Sequence, residues 1–151
     1  MVVLLEMAVT PIRAEVDTRP ETIAIREALM LASAGAVVEL PMREVADAAF
    51  AFVEGPRLLA SVGDWRYRFN GSSSALPPGY LDDILVMNDF PNSEARERIV
   101  ERGLRYVVLH GAEVGSDHAY SFEHIAEVLR LLPAETSWER HGDSWLVDLG
   151  G

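Results

Sequence analysis

The chain has 151 residues, 49% of them hydrophobic, and carries 24 acidic against 13 basic side chains, for a formal net charge of −11 at pH 7. That length suits one domain with one core, burying roughly 70% of its unfolded surface, and the acidity excludes the basic footprint that duplex DNA, RNA or an anionic lipid surface needs, so no nucleic-acid partner is expected. The absence of cysteine excludes disulfides and thiolate chemistry and leaves the redox compartment open.

Val2 to Val9 is apolar and closed by Pro11, which suits a buried strand. It is too short, is interrupted by Glu6 and lacks a basic flank, so it reads as neither a signal peptide nor a membrane span. Thr18-Arg-Pro-Glu21 has capping-box spacing and predicts a helix from about Pro20 to Ser33, burying Ile25, Ala28, Leu29 and Ala32 and stopped by Gly35. Ala36 to Leu40 reads as a central strand ended by Pro41. Glu44 to Val53 can form a helix, and Arg57 to Val62 is ambiguous between helix and strand.

The stretch from Trp65 to Tyr80 is a shaped loop: an aromatic and basic approach, an Asn70-Gly71 turn, three serines, and Pro77-Pro78 placing Tyr80 at the start of the next helix. Helices are predicted over Leu81 to Met87 and over Ser93 to Arg102, the latter capped by Asn92 or Ser93, with Gly103 past its end. Leu104 to Leu109 is the clearest strand, and Ser121 to Leu132 a helix ended by Pro133. Thr136 to His141 and Ser144 to Leu149 alternate about Gly142-Asp143 and predict a hairpin, with Trp138 and Trp145 as a cross-strand pair. Strands alternating with helices place the chain in the α/β class: a single small domain over residues 1–151, a layered mixed sheet with flanking helices and a C-terminal hairpin.

If the strands ending at Leu40 and Leu109 are parallel, Glu39 and His110 emerge at their C-terminal edges, where open α/β sheets place ligand crevices. Asn70 and Arg66 are within reach of the same edge, and together these side chains suit a sugar or phosphate group. His110 oriented by Glu39 would serve as an acid or base. The alternative is that both satisfy backbone groups at strand ends and pin the Asn70 loop, specifying the fold without chemistry. His110, Glu113, Asp117, His118 and His124 are metal-capable, but their spacing matches no H-E-x-x-H arrangement, so no metal and no cofactor are expected. Gly111 to Gly115 lacks the spacing of a nucleotide loop, and Ser72 to Ser74 lack a G-x-S-x-G elbow. By strand alternation, Trp65 and Tyr67 fall on one side and Arg66 and Arg68 on the other; the aromatic pair either stacks on a sugar or docks on a partner, or Trp65 anchors the core with the arginines facing water.

Trp65, Asn70, Gly71, Ser73, Pro77 or Pro78, Tyr80, Phe90-Pro91 and the run Gly103, Tyr106, Val107, Val108, His110 resemble a pattern found in the extracytoplasmic tails of polytopic, polyprenyl-phosphate-sugar-dependent glycosyltransferase-like membrane proteins, the protein-mannosyltransferase-like class. Leu4 to Pro11 and Ala36 to Met42 resemble the same tails, so the likeness runs from near the start to about His110. Ser72, Ser74 and Tyr67 stand where that pattern tends to have tyrosine, glycine and proline. The resemblance implies a soluble accessory or binding domain on the extracytoplasmic face, excised or separately encoded from the membrane helices. It would be non-catalytic alone, since the catalytic carboxylate of that class lies in the membrane part. Its expected partners are the parent's membrane domain and a sugar or lipid-linked sugar, with Trp65, Arg66, Asn70, Ser73 and Tyr80 as ligand or docking residues. The alternative from the residues alone is a small freestanding cytoplasmic hydrolase using His110 and Glu39.

Overall fold

Two apolar runs frame the sheet. In the computed structural model, which describes residues 20–43, 57, 66–70, 78–111, 125–126 and 129–150, Ala36–Leu40 forms strand β1 and Leu104–His110 forms strand β2. They pair in parallel, with Glu39 opposite Val108 and Leu40 opposite Leu109. The hairpin follows as β3, Ser137–His141, and β4, Ser144–Asp148. The sheet order is β1-β2-β4-β3, with β4 antiparallel to both neighbours. One parallel and two antiparallel pairings make it a mixed sheet, as the alternation of elements predicts.

Helices cover both faces. Helix α1, Pro20–Leu31, lays Ile25 and Leu29 on Val37, Tyr106, Val108 and Leu146. On the opposite face, α2 (Tyr80–Met87) and α3 (Ser93–Glu101) pack Ile84, Met87, Ala95 and Ile99 against Val38, Leu40, Val107, Leu109 and Trp145. The split follows from strand geometry, since successive residues of a strand point to opposite faces. It has one consequence for the site: Val37 and Glu39 of β1 share a face with Tyr106, Val108 and His110 of β2.

Local signals set the helix ends. Asn92 caps α3 by accepting from the Ala95 N–H at 2.7 Å, and Gly103 beyond its end takes φ 72°, a left-handed conformation that L side chains resist. Helix α1 ends at Leu31, two residues before its predicted end at Ser33, and Arg66 caps the carbonyls there. The guanidinium donates to Leu29 O, to Ala32 O at 2.7 Å and to Ser33 O at 2.6 Å, and lies over the Tyr106 ring at 5.2 Å. Gly35 serves by close approach: a Cβ there would meet the Tyr106 ring at 2.8 Å.

The hairpin register corrects the expected tryptophan pair. Trp138 stands opposite Val147, and Trp145 stands opposite Arg140, whose guanidinium lies 5.5 Å from the Trp145 ring. The two-residue turn pairs His141 with Ser144, which offsets the two tryptophans. The predicted strand at Val2 to Val9, the Thr18 cap and the helix at Glu44 to Val53 lie outside the described residues. Arg57 is helical, as are Ile125, Ala126 and Leu129 within the helix predicted from Ser121.

Candidate functional site

The parallel register brings Glu39 and His110 together at the C-terminal edge of β1 and β2. The Glu39 Oε2 lies 2.9 Å from His110 Nε2, both side chains being buried. The other carboxylate oxygen, Oε1, accepts from Arg68 Nη1. Arg57 approaches from a third side, its Nε 3.7 Å from Oε2 and its Nη1 donating to Pro41 O at 3.0 Å. A buried carboxylate costs several kcal/mol unless paired and hydrogen-bonded, and this one is both. Burial pushes its pKa up, but the hydrogen bond from His110 and the charges of Arg68, His110 and Arg57 outweigh it and hold the carboxyl at about 2, below the usual 4.5.

Asn70 is tied to the same residue through the backbone. Its Oδ1 accepts from Glu39 N–H at 2.7 Å, and its Nδ2 donates to Glu39 O at 2.6 Å. A side-chain carboxamide thus replaces the peptide group of a neighbouring strand, at the point where the segment from Tyr67 to Phe69 ends its run beside Val37. Asn88, at the end of α2, does the same for Met42, accepting from its N–H at 2.7 Å and donating to its carbonyl at 2.9 Å. Two asparagines therefore fix the chain as it leaves β1.

The loop that opens at Asn70 is anchored at its other end too. Tyr80 is buried at the start of α2, and its ring centroid lies 5.4 Å from that of Phe69. Pro78 O accepts from Arg102 at 3.3 Å. Both stems of the loop therefore lie side by side next to β1. Tyr67, one residue before Arg68, is 64% exposed beside these stems.

The expectation of arginines facing water is reversed: Arg66 and Arg68 point inward, to α1 and Glu39, while Tyr67 faces out. Arg66 thus serves α1 through backbone carbonyls and stands apart from Glu39. Trp65 and Ser73 lie outside the described residues, as do Glu113, Asp117, His118 and His124. Among the described residues no cluster of three or more His, Cys, Asp or Glu side chains could hold a metal ion, and no helix is long and apolar enough to cross a membrane.

Three participants carried no signal in the sequence: Arg57, Asn88 and, above all, Ser144. In the register of β2 and β4, Ser144 stands opposite His110, and its Oγ lies 3.3 Å from His110 Nδ1. The side chains of Ser144, His110 and Glu39 thus form one hydrogen-bonded line. No family model, curated protein or solved structure matches the chain.

Proposed function

We propose that this chain is an accessory binding domain of a polyprenyl-phosphate-sugar-dependent, glycosyltransferase-like membrane protein, working on the extracytoplasmic face. In this reading the loop between Asn70 and Tyr80 engages the membrane domain and a sugar or lipid-linked sugar. The support is the anchoring of that loop: Asn70 at one stem is tied to both backbone groups of Glu39, and Tyr80 at the other is buried against Phe69. Binding residues concentrate on loops that a scaffold positions. The C-terminal edge of parallel strands is the usual ligand crevice of such sheets. Glycosyl transfer itself belongs to the membrane part. Glu39, ionised across the neutral range, is unsuited to give up a proton in such a step.

A fluorescence titration with a water-soluble, short-chain prenyl phosphate hexose tests this. Trp65→Ala or Asn70→Ala should weaken binding by about tenfold or more, equivalent to at least one lost stacking or hydrogen-bond contact, whereas Glu101→Ala on the outer face of α3 should leave it unchanged. Equal weakening by all three variants would place the site elsewhere.

A further inference from the structure

The line through Ser144, His110 and Glu39 has the order nucleophile, base, orienter that activates a serine on unrelated folds, recognised by geometry and roles and not by sequence order. The ionised Glu39 carboxylate only accepts hydrogen bonds, so in neutral His110 it fixes the proton on Nε2. The lone pair is then on Nδ1, aimed at Ser144 Oγ at 3.3 Å. The ring nitrogens are exchanged relative to the serine-protease arrangement, but the function of each group is the same. Catalytic hydrogen bonds are often this long before substrate binds and tighten in the complex.

The serine, 4% exposed, is held by the sheet itself. Ser144 is backbone-paired with His110 on one side and His141 on the other. Gly111, next to the base, donates its N–H to Asp143 O at 2.8 Å. A Cβ at Gly111 would meet that same oxygen at 2.7 Å and the Trp145 ring at 3.0 Å. The turn carrying Ser144 is thus seated directly on the end of β2, at a height that a glycine alone allows.

We propose that Ser144 is a reactive nucleophile toward small carboxylic esters, an activity additional to docking. Ser144 Oγ attacks the ester carbonyl carbon as its proton moves to His110 Nδ1. The carbon–oxygen bond to the alcohol breaks, and the alcohol leaves with the proton from His110. Water then attacks the acyl–serine, its proton passing through His110 back to Ser144 Oγ, so that ester and water become acid and alcohol. An ester fits better than a glycoside, whose cleavage needs a second carboxylate able to carry a proton; Glu39 is the one buried carboxylate in this cluster and is held in ion pairs.

The full chain incubated with a fluorophosphonate, followed by intact mass and peptide mapping, tests this without relying on a variant's folding. One adduct on Ser144 is expected in native protein and none after unfolding in urea, because an ordinary serine hydroxyl does not react. Ser144→Ala, with an unchanged circular dichroism spectrum, should lose both the adduct and hydrolysis of p-nitrophenyl acetate above background. An unlabelled native protein, an adduct on another residue, or one that persists in urea would overturn the proposal. The docking reading stands or falls separately, on the prenyl phosphate titration of the natural chain, which is read without any change at Ser144.

Discussion

Glu39 is the residue on which the sheet edge depends. Its carboxyl is held at about 2 in the folded protein and returns to about 4.5 when the chain unfolds. A group depressed in this way contributes stability that is complete above the unfolded value and is lost as pH falls through the folded one. Folding free energy should therefore decline between about pH 5 and pH 2, by on the order of a few kcal/mol from this group. Urea melts across that range should show a steeper decline for the natural chain than for Glu39→Gln. Equal slopes would mean that the carboxylate is not the group being titrated. Asn70→Ala strips the partner from the Glu39 N–H and leaves its carbonyl only the longer 3.5 Å contact from Arg57 Nη1, and should cost about 1–3 kcal/mol in the same melts. A cost near zero would show that the loop stem is held by something else.

At the scale of elements, α2 and α3 are joined by a second buried carboxylate. Asp83, fully buried, lies 2.8 Å from Arg98 Nη1 and 2.6 Å from Arg102 Nη2. The arginines are 30% and 34% exposed, so they can turn to water when the acid is gone, whereas the acid cannot when they are gone. Asp83→Ala should therefore cost less than the double change Arg98→Ala, Arg102→Ala, which leaves a buried charge and should cost about 3–5 kcal/mol. Thermal denaturation of the two variants decides it, and the reverse order would contradict the asymmetry. Elements with local chemistry were readable in the chain: Asn92 and Gly103 delimit α3, and Gly142-Asp143 marks the hairpin. The Glu39–His110 pair was readable because side-chain parity and parallel pairing together place both on one face. Ser144, Arg57 and Asn88 were not, because each reaches its partner across the sheet or between layers, and no local pattern reports strand order.

The whole molecule is a sheet whose two margins differ. Beside β1 the segment around Arg68 adds a bridge at Val37, whereas among the described residues no strand lies beyond β3. That margin is guarded by exposed Glu139 and Arg140: antiparallel self-pairing in register would set Glu139 or Arg140 against its own copy, and like charges directly opposite destabilise. The proposed recognition lies at the other margin, at Asn70, Tyr80 and the C-terminal edge of β1 and β2. The most direct measurement of that claim is a backbone amide NMR titration of the chain with the short-chain prenyl phosphate hexose. Binding at this edge should concentrate the shifts at Tyr67, Asn70 to Tyr80 and the ends of β1 and β2 around Glu39 and His110. Saturating ligand that moves no amide, or moves only those of β3 and α3, would contradict it.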